Sequence, residues 1–259
     1  MRIDFHSHVK ISKKSAFMPT YFEEMMKEAK ESGLDAIAMT EHFNTDRFYD
    51  VYEYLANNHH YEHGYYLING LKVFPGIEVD VKEVGHILLI GDRTDIVEIR
   101  NFLEGHIESE KFIPFQDLLD LADQYNILKI GAHAFRESTP LYQHDPNQLR
   151  RLDALDLNGK DLYTYGVADY YNKLELFARE LGLPIVAGSD THQFLQYGCV
   201  YNDLSRECKT VDELKQQINE GCYQIEISPS LDLKVKSAKL VKKLLKKLLN
   251  EDGVIEGKF

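Results

Sequence analysis

The chain has no run of about 18 apolar residues, the length that spans a bilayer, so no segment reads as a membrane crossing. It opens on Met1-Arg2-Ile3-Asp4-Phe5-His6, which reads at once as a strand and not as an apolar leader. Cysteine is scarce. Cys199, Cys208 and Cys222 are odd in number and lack metal-ligand spacing, so a reduced thiol state and a cytoplasmic location are expected. There is no internal repeat, no low-complexity stretch and no linker. Basic residues are outnumbered, 30 Lys and Arg against 42 Asp and Glu, for a formal charge of −12. From Ser228 onward the balance is +4, which leaves −16 on residues 1–227. A body that acidic disfavours extended nucleic acid as a partner, whereas small anions held through bound cations stay compatible with it.

Two catalytic systems are also missing. No Gly-rich phosphate loop occurs, and Gly91, Gly131 and Gly188 read as packing or turn glycines. Ser189 lies in Gly-Ser-Asp, not in the Gly-x-Ser-x-Gly elbow of a serine hydrolase.

What is present is alternation. Short apolar runs at residues 3–6, 35–39, 73–81, 86–90, 128–132, 154–157, 185–188 and 224–227 read as strands. Helical patterns fill 19–32, 46–63, 94–104, 115–125, 168–181 and 211–220, several stopped by glycine. Strands alternating with helices imply βαβ units and a largely parallel sheet, and seven or eight units suit a closed barrel. The fold class expected is therefore α/β, a TIM-barrel-like (βα) barrel over residues 1–232. Residues 233–259 form a basic amphipathic helix and tail, with Lys234, Lys236, Lys239, Lys242, Lys243, Lys246 and Lys247 opposite the apolar positions. The expectation is that this helix docks on the acidic body.

Histidine placement is the strongest signal. His6-Ser7-His8 ends the first strand, and a period of two sends both imidazoles to one face. Thr40-Glu41-His42 ends the second strand, Glu78 the third, and His133 follows the run to Ala132. Asp190-Thr191-His192 follows a late strand, while His86 opens one. C-terminal strand ends are where a parallel barrel builds its site. His59, His60 and His63 read instead as a solvated helix end, and His106 and His144 as loop residues.

The order His-x-His, Glu-His, Glu, His, His, Asp-x-His, from Met1 to about His192, resembles the polymerase and histidinol phosphatase (PHP) family of metal-dependent phosphoesterases. The resemblance implies a distorted seven-stranded barrel with two or three metal ions at its mouth. It implies that His6, His8, Glu78 and Asp190 hold one ion, and that Glu78 bridges to a second held by His86 and His133. His42 and His192 would belong to a third, with Glu41 standing beside His42 where the family more often has Asp. Catalysis would rest on Glu78, Asp190 and His192. One position departs: about six residues after His-x-His the family supplies another ligand, and Val9-Lys10-Ile11-Ser12-Lys13-Lys14 holds none.

Imidazoles mixed with carboxylates suit Zn, Mn or Fe more than Mg or Ca. A small phosphorylated substrate, such as histidinol phosphate or a nucleotide, then needs cations of its own. Arg136 is the best candidate because its fork matches phosphate. Lys14 stands about where the extra ligand belongs, so its ammonium is expected to grip the phosphate or replace the third ion. Two other readings use the same residues: C–N hydrolysis of the amidohydrolase type, and a noncatalytic metal-binding module with the basic tail as partner surface.

Overall fold

The computed structural model describes residues 1–249, 254 and 255. The strands are β1 (Arg2–Ser7), β2 (Ala36–His42), β3 (His60–Glu62), β4 (Tyr65–Ile68), β5 (Leu71–Asp80), β6 (His86–Ile90), β7 (Leu128–Ala132), β8 (Ala154–Asn158), β9 (Ile185–Gly188), β10 (Val200–Leu204) and β11 (Tyr223–Ile227). The helices are α1 (Pro19–Glu31), α2 (Phe48–Asn58), α3 (Arg93–Phe102), α4 (Phe115–Ala122), α5 (Pro146–Leu149), α6 (Gly159–Tyr165), α7 (Val167–Leu181), α8 (Val211–Asn219) and α9 (Leu231–Leu248).

Hydrogen bonding runs β11-β10-β1-β2-β5-β6-β7-β8-β9. The ends of β1 and β9 then meet: His8 N donates to Thr191 O at 2.9 Å and Asp190 N to His6 O at 2.7 Å. Seven strands, β1, β2 and β5 to β9, thus curl into a nearly closed barrel. The path continues past β1 into β10 and β11, so nine strands lie on it where the resemblance implies seven. Successive residues of a strand face opposite ways. Ile3, Phe5, Ala36, Ala38, Phe74, Leu88 and Ile130 line the interior, closed at one end by Val211, Leu214 and Ile218 of α8. Ile37, Met39, Val73, Ile87 and Leu89 face outward onto a helix layer that includes Phe22, Met25, Val51 and Leu118.

Three expectations need correction. First, the sheet is mixed. β6 runs antiparallel to both β5 and β7, pairing His86 with Asp80 and with Ala132. This resolves the one misplaced histidine, because the start of an antiparallel strand reaches the same rim as the ends of its neighbours. Second, the helix expected over 46–63 stops at Asn58, and His59 is already extended. Glu62 pairs with Tyr65 across His63 (φ 52°) and Gly64 (φ 102°), a two-residue turn with both φ positive. A three-residue strand is too short to show alternation, so the helical period of α2 ran over it. Third, α6 was not foreseen. It starts where Asn158 Oδ1 accepts from Lys160 N at 3.0 Å, a side-chain cap directly after a strand.

Helix α9 lies on the body, with Leu231, Val235 and Ala238 buried. It packs on α6 and on the short turn Phe194–Gln196 that follows His192. The tail beyond Leu249, apart from Val254 and Ile255, lies outside the described residues. Among the described residues no helix is long and apolar enough to cross a membrane.

Gly188 sets how closely β9 approaches β1. A Cβ there would sit 2.3 Å from His6 Cβ, 3.0 Å from His6 N and 2.8 Å from Asp156 Oδ1. The first two belong to backbone or its first side-chain atom and cannot swing away. Gly188→Ala should therefore destabilise by about 1–3 kcal/mol. That is a fall of about 2–4 °C in melting midpoint per kcal/mol for a chain of this size. A calorimetric midpoint equal to the parent protein would show that the strands separate without strain.

Candidate metal centre

The rim formed by the ends of β1, β2, β5, β7 and β9 and the start of β6 gathers the strand-end residues. Glu78, near the C-terminal end of β5, lies among five imidazoles. Its Oε1 is 2.7 Å from His86 Nδ1, 3.2 Å from His133 Nε2 and 3.5 Å from His6 Nε2. Its Oε2 is 2.8 Å from His42 Nδ1 and 3.4 Å from His8 Nε2. Burial alone would raise this carboxyl, but the charges of His86, His42 and His6 hold it well below its usual range.

Three groups have ligand atoms mutually within 4.8 Å: His6, His8 and Asp190; Glu78, His86 and His133; and His8, His42 and His192. His8 belongs to two of them, and its ring stacks on that of His192 with centroids 4.1 Å apart. His133 and Asp190 carry positive φ, 31° and 55°, a conformation non-glycine residues adopt only when the surroundings impose it. His6 Nε2, His8 Nε2, His42 Nδ1 and Glu78 Oε2 are buried without an aligned hydrogen bond. Each would otherwise forfeit about 1–3 kcal/mol, so this donor set fits metal ions.

A second ring of contacts aims the imidazoles. His6 Nδ1 lies 3.0 Å from Asp156 Oδ2, which also accepts from Asn158 Nδ2 at 2.9 Å. His133 Nδ1 is 3.2 Å from Thr139 Oγ1, and His192 Nδ1 is 3.0 Å from Lys10 O. His86 Nε2 is 2.8 Å from Asp80 Oδ1, and Lys13 donates to Asp80 Oδ2 at 2.9 Å. Such partners fix which nitrogen faces an ion.

Glu41 has a different position from the other carboxylates. Its Oε2 accepts from the backbone of Val9 and Lys10, at 3.0 and 3.1 Å, and its Oε1 from His42 N at 3.0 Å. It lies 3.6 Å from His8 Nδ1 and outside the three groups. Lys14 is exposed and makes no ion pair among the described residues. Lys10 is buried and donates to Asp46 O. Arg136 does reach the rim, 2.9 Å from Asp190 Oδ2 and 3.1 Å from Asp161 Oδ1. Its partners are thus site carboxylates and not the neighbouring Glu137. His59 pairs with Glu23 at 2.7 Å, far from the rim in the fold.

Sequence reasoning missed Asp156, Asn158, Lys160 and Asp161. Lys160 Nζ sits 2.7 Å from Asp190 Oδ1. Burial would raise Asp190, yet Lys160 and Arg136 hold it well below its usual range. A signal existed, since these residues end or directly follow a recognised strand on the same rim, but they carry no histidine. Lys242 of α9 was missed as well. Burial and the charge of Lys160 push it down to about 6, with Asp190 and Glu41 near enough to oppose the shift.

A family model described as PHP domain matches residues 4–250. Among solved structures, PsfC from Pseudomonas syringae PB-5123 superposes with a TM-score of 0.78 at 21% identity, over 94% of this chain and 98% of that one. The lesion-specific endonuclease PfuEndoQ from Pyrococcus furiosus gives 0.64 at 21% identity, over 86% of this chain and 57% of that longer one. Endonuclease Q in complex with a 27-mer duplex bearing an abasic lesion gives 0.61 at 22%, over 87% and 58%. These likenesses show the fold. No curated protein matches the chain.

Two outcomes follow from the geometry. Asp156→Asn should weaken Zn²⁺ or Mn²⁺ binding about 10–100-fold while the fold persists, read by competition with a chromophoric chelator. Unchanged affinity would mean Asp156 does not aim His6. The second outcome concerns pH. Burial lowers His86, but Glu78 and Asp80 outweigh it and raise His86 to about 9. Below that value its proton must leave before a metal can take the lone pair. Apparent affinity should thus rise about tenfold between pH 7 and 8, and a flat response would contradict it.

Proposed function

This chain belongs to the PHP domain family and is a metal-dependent hydrolase, and from that premise we propose that it hydrolyses the phosphomonoester of a small phosphorylated molecule. The observation that supports this reading is the pairing of the ligand groups with two cations, Arg136 and Lys160, both on Asp190. Ligand groups alone would suit C–N hydrolysis as well. Cations on the same rim answer the charge of a phosphoryl group.

Bound ions, two or three of Zn, Mn or Fe, would polarise phosphoryl oxygens and bring a water near neutrality in pKa. His6, His8, Glu78 and Asp190 would hold one, Glu78, His86 and His133 a second, and His8, His42 and His192 a third. The rest falls to the chain's own groups. Glu78 fixes the spacing of the first two positions by being common to both. Asp190 orders Arg136 and Lys160, so both cations are positioned before substrate arrives. Arg136 can present its remaining donors to the non-bridging oxygens, since Asp161 already sets its plane through Nε. His192 donates from Nδ1 to Lys10 O, which leaves the lone pair of its Nε2, 3.9 Å from Asp190 Oδ1, for the ion it would share with His8 and His42.

Endonuclease Q is named as a lesion-specific endonuclease, and one of its structures holds a duplex substrate. Here the net charge of −12 favours a small substrate over an extended phosphate backbone.

The test is phosphate release from p-nitrophenyl phosphate by metal-loaded protein. Chelation should abolish it and re-addition of metal restore it. Glu78→Gln should lower kcat by more than about a hundredfold, beyond what loss of an outer contact causes. Turnover near the parent value in that variant would refute the shared-carboxylate site.

A further inference from the structure

The inward stripe of α9 does not end with its apolar residues. Leu231, Val235 and Ala238 are buried, and the same helical spacing continues to Lys242 and Leu245, both half-buried. A lysine thus occupies a docked position, where the bland expectation for a basic amphipathic helix puts every ammonium in solvent. The first half of the helix is fastened down: Lys234 Nζ donates to Tyr197 O at 2.8 Å. The second half crosses α6 and the turn after His192. Lys239 Nζ stands 4.7 Å from the Tyr163 ring centroid and 3.5 Å from Thr164 Oγ1, and it feels Lys160, Asp161 and Arg136. Lys242 lies within electrostatic reach of Lys160, Asp190 and Glu41, and His192 feels it in turn.

The charge balance there is uneven. Lys160 and Arg136 are matched by Asp190 and Asp161, and Lys13 by Asp80. Lys239 and Lys242 have no carboxylate within salt-bridge distance among the described residues. They are one helical turn apart, where side chains are neighbours, and both lie within electrostatic reach of Lys160. Like charges gathered at a partly buried rim are unfavourable unless an anion joins them.

We propose that Lys239 and Lys242 of α9 form a second phosphate subsite beside the metal centre, and that the substrate is a small bisphosphate. Its scissile phosphoryl group would lie at the metal ligands with Arg136 and Lys160, and its second phosphate on Lys239 and Lys242. This rests on the phosphoesterase reading of the centre. A phosphate monoester suits this pair of lysines better than a carboxylate does, since it carries about −1.5 to −2 at neutral pH, and that charge would return to Lys242 the proton that burial and Lys160 work to remove. Lysines serve as point charges and demand no planar partner.

The probes are straight-chain α,ω-alkanediol bisphosphates of increasing length, each against its monophosphate. Calorimetric titration of metal-free protein reads the lysine subsite by itself. At the best spacer, the bisphosphate should bind at least tenfold tighter than the monophosphate. Lys242→Gln should erase that preference and Lys242→Arg retain it. With metal-loaded protein, Lys242→Gln should raise KM for the bisphosphate about tenfold and leave kcat, and KM for p-nitrophenyl phosphate, within twofold. Equal binding of both probe types at every spacer would overturn the proposal. So would an equal loss on p-nitrophenyl phosphate, which would place Lys242 on the scissile group. Tighter, Lys242-dependent binding of a single-stranded oligonucleotide would overturn the small-ligand assignment. Absence of p-nitrophenyl phosphate turnover in the parent protein would sink the phosphoesterase reading instead, and the binding arm would still report on the subsite.

Discussion

One buried carboxylate organises this molecule. Glu78 sits near the C-terminal end of a strand whose every residue is buried, and it meets five imidazoles from four other strand ends. A carboxylate in such a place is tolerable only with positive or hydrogen-bonding company. Removing His6 or His86, the imidazoles held raised beside it, would leave the remainder with uncompensated charge, so these histidines are coupled to one another through it. The mixed sheet follows from the same need. Were β6 parallel, His86 would lie at the far end of the barrel, and Glu78 would lose its nearest imidazole.

The rim sets cations among its acids. A chain with a net −12 presents Arg136, Lys160 and Lys13 where its ligand carboxylates converge. These cations do not neutralise the site so much as hold its acids ionised. Asp190 stays a carboxylate despite full burial because Lys160 and Arg136 keep it so. The opposite end of the barrel is closed by apolar residues of α8, and among the described residues no group of possible metal ligands lies there. Function and plugging are thus divided between the two ends, as the direction of the strands dictates.

Much of this was legible in the sequence because it rests on local periodicity. His6-x-His8 and Asp190-x-His192 declare themselves by spacing, and Glu41, Glu78 and His133 by standing at the ends of apolar runs. What stayed hidden depends on registers that no local pattern encodes. Asp156 matters because β8 lies near β1, 150 residues away in the chain. Lys242 was one lysine among seven on its helix until docking chose which faced inward. Lys14 shows the converse: correct distance along the chain from His8 did not bring it to the rim, because the loop turned Lys10 and Lys13 inward instead.

The clasp between β1 and β9 bears on how the chain comes to fold. His6, His8 and their backbone partners at Asp190 and Thr191 are about as distant in sequence as the barrel allows. Contacts of such long range form late, because the entropy of closing the intervening loop must be overcome before they return anything. During synthesis the first two histidines therefore emerge far ahead of the residues that complete their group. For that interval an open sheet edge at β1 and a set of half-made ligand groups coexist, and metal captured early would be held by partners that belong to different ions. Pairing of β10 and β11 across the other edge of β1 cannot shorten the wait, since both follow residue 192. The centre cannot close before residue 192 has been made.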